Sequence, residues 1–299
     1  MQLPLVTILA ISYNQEKYVI DTLNSIKAQT YSNIQLIIAD DGSKDNTKQL
    51  IRKWIPQNWP DAVFLDHPVN MGVTKNLNSG LPYIKGVYYQ FIGCEDLMMP
   101  DKIEKQVTIF EQHPEVGVVY SDMYRMDEEG MLDSKTHYQR TGKYNVPVSG
   151  MVYEKMLERC FIATPTALIK SEILFDIGGD NEKLEVNDFD FWMRASKKYL
   201  FLYHPDITMK YRLVSTSISA KGNLFHYKNG FLLYYFNYDN RKAYRKIFNS
   251  RMFFSIQNLH HLKFKKTSLF SLKAFLKSGD IRFLYFTFLS AGLIFKGKS

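Results

Sequence analysis

The segment IQLIIADDGSKDNT, residues 34–47, is the most informative part of this sequence about the fold. Its apolar first part, residues 34–39, predicts a buried strand, and its polar last part predicts the start of a helix. Asp40 and Asp41 then stand at the carboxyl end of a parallel strand, where ligands bind in open α/β sheets. Carboxylates repel phosphate, but they accept hydrogen bonds from a base or a ribose and hold cations. The structural alternative is a helix N-cap followed by a solvated turn.

Apolar strand-like runs and helix-like stretches alternate through the first 120 residues, which predicts βαβ units and a mostly parallel sheet. The predicted strands are residues 5–11, 34–39, 63–65, 87–92 and 116–120. The predicted helices are residues 17–29, 45–54, 73–85 and 101–113. Pro100 stands where a proline at the first helical position is favoured.

The pattern changes after residue 120. Residues 121–150 are polar and predict a loop, followed by a helix at 150–159 and a strand at 166–169. Residues 188–198 predict a helix with an apolar face, and residues 221–299 predict mostly helix. We therefore expect a first domain at 1–220, with a nucleotide-binding half (1–100) and an acceptor half (101–220), and a basic aromatic helical region at 221–299.

Composition bounds the class of protein. The chain has 299 residues and is 45% hydrophobic, enough for a sizeable core. Its two cysteines, Cys94 and Cys160, give neither a disulfide framework nor metal spacing, which favours a reducing, cytoplasmic setting. The N-terminal residues show no basic signal-peptide start. The longest apolar stretch, residues 283–295, has 13 residues, whereas about 18–20 are needed to span a bilayer.

Charge is unevenly distributed. Residues 221–299 carry 15 Lys and Arg and two acids, a net charge of +13, whereas the rest of the chain nets −5. We expect residues 268–277 and 281–295 to form interfacial helices that contact an anionic membrane. The alternative is a helical subdomain whose aromatic residues form its own core. Nucleic acid is a weaker candidate partner, because no DNA- or RNA-binding motif is present.

Four polar sites stand at the predicted ends of strands or at a helix start. They are Ile11-Ser12-Tyr13-Asn14, Asp40-Asp41, Glu95-Asp96 and Asn187-Asp188. Two of them are acidic pairs at the carboxyl ends of strands, where side chains from different strands converge. These four sites are the candidate functional residues.

The chain resembles the family 2 glycosyltransferases over roughly residues 3–215. The matching blocks, in the family's order, are VTILAISYNQEKYVIDTLNSIKAQTYSNIQLIIADDGSKDNT, NMGVTKNLNSGL, GVYYQFIGCEDLMMPDKI and NDFDFWMR. The resemblance implies the GT-A fold: a Rossmann-like, mostly parallel sheet flanked by helices. It also implies transfer of a sugar, with inversion, from a nucleoside diphosphate sugar (a UDP-sugar is favoured) to an acceptor hydroxyl, assisted by Mn²⁺ or Mg²⁺. Acceptors in this family are often lipid-linked.

The resemblance also implies roles for particular residues. Ile11 and Tyr13 fall in the block that lies against the base, and Asp41 matches the acceptor of the uracil N–H. Glu95 would face the ribose, Asp96 matches the metal ligand, and Asp188 matches the catalytic base. The structural alternatives are a core aromatic for Tyr13, an Asx-turn for Asp41, a solvated loop for Glu95-Asp96 and a helix cap for Asp188.

Four positions depart from the family pattern. Glu95 stands where Asp is usual, and Asn187 stands where Glu is usual. Leu77 occupies the place of a frequent Arg, with Lys75 as a candidate replacement for its charge, and Val214 occupies the place of a His that helps to hold the metal. A binding protein with little transferase activity, acting as an assembly partner, therefore stays open. A nucleotidyltransferase is less favoured, because no Gly-rich phosphate loop is present near the N-terminus.

The expected enzyme makes a surface polysaccharide or a glycolipid at the inner face of the cell membrane, in peripheral contact with anionic lipid. The sequence leaves open which sugar, which acceptor and which linkage are used.

Overall fold

The structure is a computed structural model that describes residues 3–142, 145–185, 188–215, 217 and 221–295, with backbone alone for 292–295. By its internal contacts the chain divides into two compact units, Met1–Ser215 and Thr216–Ser299.

The first unit alternates strands and helices. Its strands are β1 (Val6–Ser12), β2 (Ile34–Asp40), β3 (Val63–Asp66), β4 (Tyr88–Gly93), β5 (Leu97–Met98), β6 (Val116–Met126), β7 (Leu132–Thr136), β8 (Leu168–Lys170) and β9 (Leu200–Arg212). Its helices are α1 (Val19–Lys27), α2 (Thr47–Asn58), α3 (Val73–Gly80), α4 (Lys102–Gln112), α5 (His137–Thr141), α6 (Tyr153–Glu158), α7 (Ser171–Asp176) and α8 (Asp188–Ala195).

Within the described residues, the strands form one sheet in the order β3-β2-β1-β4-β8-β6-β9-β5, and β7 pairs with β6. The first four strands in this order run parallel to one another. The short strand β8 lies antiparallel between β4 and β6, and β9 returns parallel to β6. The sheet is therefore mixed, with a fully parallel half formed by the N-terminal βαβ units, as the alternation in the sequence predicts.

The parallel half places the polar motifs at one edge. β2 lies between β3 and β1, and its apolar residues from Leu36 to Ala39 are fully buried, as expected for a strand covered on both faces. Its register sets Ser12 opposite Asp40, and the register of β4 sets Ile11 opposite Gly93. The carboxyl ends of β1, β2 and β4 therefore end side by side.

The prediction of a loop at 121–150 is wrong for much of that range. β6 continues to Met126, and β7 and α5 follow it. The second half of β6 contains polar residues, which is why its sequence does not resemble a buried strand, but these residues have buried partners. The hydroxyls of Ser121 and Thr208 lie 2.5 Å apart, and Asp122 accepts the backbone N–H of Tyr138 at 3.2 Å. These partners make polar side chains compatible with a buried strand.

Other bounds shift by a few residues. α4 begins at Lys102 with Asp101 as its N-cap, so Pro100 precedes the cap and is not the first helical residue. The predicted strand at 166–169 is β8, preceded by a 3₁₀ turn at Thr164–Thr166. The long strand β9 is absent from the sequence-based prediction, because charged residues and Pro205 interrupt its apolar pattern.

The second unit is helical, as predicted. It consists of α9 (Asn223–Phe236), α10 (Lys242–His261), α11 (Thr267–Ser278) and α12 (Arg282–Phe295). Aromatic side chains form its core: the rings of Phe231 and Phe270 stack with centroids 4.7 Å apart, and Phe253 packs against Phe283 and Phe286. Among the residues described, no helix combines the length and the apolar character needed to cross a membrane.

Candidate active site

Asp40 and Asp41 are adjacent in the sequence, at the end of β2, but their carboxylates have different hydrogen-bond partners. Asp40 is fully buried and accepts hydrogen bonds from the hydroxyl of Ser12 at 2.8 Å, the backbone N–H of Ser43 at 2.8 Å and the hydroxyl of Ser43 at 2.5 Å. This carboxylate therefore locks the turn after β2 to the end of β1. Asp40 is structural, and the sequence alone did not separate its role from that of Asp41.

Asp41 shapes the neighbouring loop. Its two carboxylate oxygens accept the backbone N–H groups of Met71 at 2.6 Å and Gly72 at 2.9 Å. Gly42, the next residue after Asp41, has φ +72°, and a Cβ there would lie 2.5 Å from the backbone of Val69. Only glycine fits this close approach. Each carboxylate oxygen has a second lone pair, so Asp41 can still accept from a ligand.

Residues Ile11 and Tyr13 lie beside this turn. Tyr13 is 44% exposed, so its ring is a surface group rather than a core aromatic. The backbone carbonyl of Ile11 accepts the N–H of Cys94 at 2.9 Å, which fixes the segment after β4 against the end of β1. The backbone N–H of Asp41 donates to the carbonyl of Ser12 at 2.8 Å, so an exposed aromatic ring and a carboxylate acceptor follow two adjoining strand ends, a suitable surface for a nucleobase.

The pair Glu95-Asp96 follows β4 at the same edge. The amide of Gln15 donates to the carboxylate of Glu95, and the backbone N–H of Arg212 donates to Asp96 Oδ1 at 2.8 Å. Burial raises the pKa of Glu95. Burial, followed by the charge of Glu95, raises the pKa of Asp96 well above its usual value, while Arg212 opposes the shift. Asp96 is buried and Glu95 is partly buried, so the two adjacent carboxylates repel each other, and a cation relieves that repulsion.

Arg212 is a component of the site that the sequence did not indicate. Its Nε donates to the backbone carbonyl of Glu95 at 2.9 Å, and its Nη1 donates to the carbonyl of Glu128 at 2.9 Å. The guanidinium also lies over the ring of Tyr18, 4.5 Å from the centroid. Arg212 therefore ties the acidic pair to the β6–β7 hairpin. Its contacts with residues more than 80 positions away explain why local pattern could not find it.

The donor set fits a cation that is shared with a substrate. Among the described residues, no group of three or more His, Cys, Asp and Glu side chains is arranged to hold a metal ion. Carboxylates at Glu95 and Asp96 are hard oxygen donors, and Mg²⁺ is typically bound by one or two carboxylates together with substrate phosphates. Val214 offers no ligand, and Leu77 is buried. The residues present thus fit a divalent ion that a diphosphate helps to hold.

Asp188 begins α8 in the same unit. Its Oδ2 accepts the hydroxyl of Thr164 at 3.3 Å, and its Oδ1 accepts the N–H of Phe189 at 2.7 Å. The indole N–H of Trp192 donates to the Thr164 hydroxyl at 3.0 Å, so a chain of hydrogen bonds fixes the carboxylate. Burial raises the pKa of Asp188, which the hydrogen bonds partly offset. Asn187, the other half of this motif, lies outside the described residues.

The surroundings of Asp188 are mostly apolar. Asp188 and Thr164 line a pocket together with aromatic and aliphatic side chains, among them Phe91, Ile169, Leu174 and Phe191. This environment destabilises a charged carboxylate, which is the physical cause of its raised pKa. A carboxylate that is held in place and has a raised pKa is suited to accept a proton.

Asp190, two residues further on, has a structural position. It is 1% exposed and pairs with Arg194 at 2.8 Å. Arg194 also donates to the carbonyls of Ile177 at 2.6 Å and Gly179 at 2.8 Å, so the pair anchors the loop after α7 to α8. Asp188 and Asp190 are therefore distinguished by their partners.

Comparison with known proteins agrees with this geometry. Residues 7–178 match the glycosyl transferase family 2. An uncharacterised glycosyltransferase of Rickettsia typhi is 28% identical over 243 residues, which are 77% of this chain and 72% of that protein. One from Methanocaldococcus jannaschii is 25% identical over 71% of this chain and 72% of its own length.

Solved structures share the fold. Residues 1–349 of Staphylococcus aureus TarS, in complex with UDP-GlcNAc, superpose with a TM-score of 0.70 at 16% identity, covering 98% of this chain and 88% of that TarS fragment. A mannosyltransferase of Pyrobaculum calidifontis, in complex with GDP-Man and Mn²⁺, gives 0.63 at 16% identity, covering 98% and 86%. The predicted GT-A fold, a mostly parallel sheet flanked by helices with C-terminal helices, is confirmed.

The fold and the site thus define a glycosyltransferase of the GT-A type. The family match covers more than half of the sequence, and the chain belongs to glycosyl transferase family 2.

Proposed function

We propose that this protein transfers a sugar, with inversion, from a nucleoside diphosphate sugar to an acceptor hydroxyl during synthesis of a surface polysaccharide or a glycolipid. The observation that carries the proposal is the separation of two kinds of carboxylate. Glu95-Asp96 form a mutually repelling pair after β4, whereas Asp188, at the start of α8, accepts hydrogen bonds from Thr164 and from the backbone N–H of Phe189. The first arrangement suits a metal-diphosphate group and the second suits a proton acceptor.

On the donor side, Ile11 and Tyr13 contact the base and Asp41 accepts an N–H from its ring. Uracil has such an N–H, so a UDP-sugar is the favoured donor. Glu95 faces the ribose, held in orientation by the amide of Gln15. TarS was solved with UDP-GlcNAc and the Pyrobaculum mannosyltransferase with GDP-Man, and both support a nucleotide-sugar donor for this chain.

Asp96, with Glu95 beside it, would hold Mn²⁺ or Mg²⁺ together with the diphosphate. The ion, when bound, neutralises the charge that develops on the leaving diphosphate. The Mn²⁺ in the Pyrobaculum structure supports this assignment. The backbone N–H of Arg212 keeps Asp96 in position for that contact.

On the acceptor side, Asp188 removes the proton from the acceptor hydroxyl. The acceptor oxygen then forms a bond to the anomeric carbon on the face opposite the diphosphate, and the bond between that carbon and the diphosphate oxygen breaks. Attack from the opposite face inverts the anomeric centre. The raised pKa of Asp188 brings its basicity closer to that needed for general base catalysis near neutral pH.

A second candidate function is a nucleotide-sugar-binding assembly partner with little transferase activity. The specific observation in its favour is the position of Leu77. It is 2% exposed and occupies the place where relatives frequently carry an Arg. A weaker diphosphate site would lower turnover while leaving base and ribose recognition in place.

We further propose that the protein works at the cytoplasmic face of the cell membrane, in peripheral contact with anionic lipid. The support is the net charge of +13 over residues 221–299. A soluble acceptor would not require this location, so the location is tested separately from the chemistry.

The test of the function is a panel of nucleotide sugars in two assays. Thermal shift with and without Mn²⁺ identifies the donor, because a ligand that binds only the folded state stabilises it by mass action. Release of the nucleoside diphosphate in the presence of candidate acceptors then measures transfer. Metal-dependent binding with turnover supports the enzyme, and binding without turnover on any acceptor supports the assembly partner. No stabilisation by any nucleotide sugar would overturn both.

A further inference from the structure

Helices α11 and α12 of the second unit expose large apolar side chains in regular rows. On α11 these are Leu269, Leu272 and Leu276, spaced by three and four residues, which places them on one side of the helix. On α12 and just before it they are Ile281, Tyr285, Phe288 and Leu289, again at helical spacing. We call these seven residues the outer face.

The fold of the unit does not need the outer face. The sides of α11 and α12 that are buried carry other residues, such as Phe270 and Ala274 on α11 and Phe283 and Phe286 on α12. The two helices are held together by the hydroxyl of Ser271, which donates to the carbonyl of Phe283 at 2.5 Å. Each helix is thus apolar on two sides, whereas a surface helix of a globular protein is normally polar on its outer side.

Basic residues border the outer face. Lys266 and Lys273 are exposed and lie one helical turn or less from Leu269 and Leu276. The region has only two acids, and both are engaged with arginines: Asp239 with Arg241 at 2.5 Å and Asp280 with Arg282 at 2.6 Å. Neither of these two acids is therefore paired with Lys266 or Lys273. Apolar rows bordered by lysines match the boundary of an anionic bilayer, with acyl chains below and phosphates at the rim.

We infer that the outer face of α11 and α12 is the surface on which this protein lies against an anionic membrane, with its leucine and aromatic side chains inserted between the headgroups. This inference rests on the proposed peripheral contact with anionic lipid and names the surface that makes it. A second copy of the chain is a poorer occupant, because a symmetric contact would bring the lysines of both copies together.

The proposed contact has two separable parts. The apolar rows supply burial of hydrocarbon, which is insensitive to salt. The lysines supply attraction to anionic headgroups, which weakens as ionic strength rises. Changing each part separately gives each a distinct signature.

The experiment is flotation of the full chain with vesicles of equal parts phosphatidylglycerol and phosphatidylcholine, and with phosphatidylcholine alone. We expect Leu276→Gln with Phe288→Gln, which removes apolar surface without adding charge, to lower the partition coefficient at least tenfold on the mixed vesicles. We expect Lys266→Gln with Lys273→Gln to lower it severalfold at low salt and to weaken its salt dependence. The control is Met131→Gln, which alters a side chain that is 73% exposed in the turn between β6 and β7.

Circular dichroism and the thermal shift with the donor nucleotide show whether each variant is folded. Equal vesicle binding by wild type and the Leu276/Phe288 variant would overturn the docking surface but leave the peripheral location standing. No binding by the wild type would overturn both, without touching the transfer reaction. A variant that loses self-association in sedimentation while keeping vesicle binding would show that a second copy covers this face. If no nucleotide sugar binds or reacts while vesicle binding still depends on the outer face, the proposed function is overturned and the docking surface stands.

Discussion

The hydroxyl of Thr164 lies between Asp188 and Trp192, donating to Asp188 Oδ2 at 3.3 Å and accepting the indole N–H at 3.0 Å. The proposed base therefore has its orientation set by a 3₁₀ turn and a helix that are distant in the sequence. Supporting hydrogen bonds of this kind keep a reacting group within the narrow geometry that catalysis requires.

Thr164→Val keeps the shape of the side chain and removes this link. Since the hydrogen bond from Thr164 lowers the pKa of Asp188, its loss raises that pKa further, and a larger fraction of Asp188 is protonated at neutral pH. We expect kcat to fall about 10- to 100-fold, since a hydrogen bond to a charged group contributes roughly 1.5–3 kcal/mol, and the acidic limb of the kcat profile to move to higher pH. The control is Thr108→Val on the exposed side of α4. An acidic limb that stays in place would contradict the role of Thr164.

Asp188→Asn should abolish transfer while keeping donor binding. Asn is nearly isosteric and can still accept the N–H of Phe189, but it cannot take a proton. Turnover should slow by about 10²- to 10⁴-fold, with the donor-induced thermal shift unchanged.

Asp190→Asn is the comparison variant, because Asp190 is engaged with Arg194. It should lower the melting temperature, since the partly exposed Arg194 loses the charged partner that is buried beneath it, and retain turnover per folded molecule. Near wild-type turnover for Asp188→Asn at saturating donor would place the base elsewhere.

The parallel half of the sheet was predictable because its signals are local. Apolar runs such as residues 34–39 need no distant partner to be recognised, and each is followed by a helical pattern. By contrast, β6 beyond residue 120 and β9 contain polar residues whose partners are far away in the sequence. Ser121 and Thr208, 87 positions apart, share one hydrogen bond. No local pattern reports such a pairing.

The candidate site divides in the same way. Consecutive residues in the sequence are enough to recognise the motifs of Asp41, Glu95, Asp96 and Asp188. The groups that hold these side chains in place cannot be recognised in that way, because they are distant in the sequence: Arg212 contacts Asp96 across 116 positions, and Thr164 contacts Asp188 across 24. The separate roles of Asp40 and Asp41 also required the structure, because both are acids at the end of the same strand.

Asp96→Asn tests the metal assignment more cleanly than alanine. The amide oxygen can still accept the N–H of Arg212, so the turn after β4 should keep its shape, while the anionic ligand is lost. We expect the nucleoside diphosphate to stabilise the variant equally with and without Mn²⁺, whereas the wild type is stabilised more with Mn²⁺.

The matched control is Asp133→Asn, which changes a carboxylate on β7 that pairs with Arg140 near the surface. This variant should behave as wild type. Retention of the full Mn²⁺ effect in Asp96→Asn would show that Asp96 is not a metal ligand.

Lys102 gives the last prediction, because it is fully buried on α4 and its three ammonium contacts are all neutral oxygens. It donates to Gln90 Oε1 at 2.7 Å, to Gln106 Oε1 at 2.5 Å and to the carbonyl of Thr166 at 3.1 Å, in the same turn that carries Thr164. Burial lowers the pKa of Lys102 well below its usual value.

A lysine with a lowered folded-state pKa binds more protons in the unfolded state. The free energy of unfolding therefore rises with pH, from the folded-state pKa up to the unfolded value of about 10.4. Lys102→Met removes this contribution. The difference in unfolding free energy between wild type and variant should thus grow, in favour of the wild type, as the pH rises towards the unfolded-state value of about 10.4. Lys105→Met, on the same helix, is the control: hydrogen bonds from Lys105 to Asp101 and Asp206 raise the pKa of Lys105 to about 12. The stabilisation that Lys105 contributes is fully present below about pH 10.4, so the difference in unfolding free energy between wild type and Lys105→Met should stay constant over the same range.

Urea denaturation of the three proteins at several pH values measures both differences. Parallel stability curves for wild type and Lys102→Met would contradict the lowered pKa of Lys102.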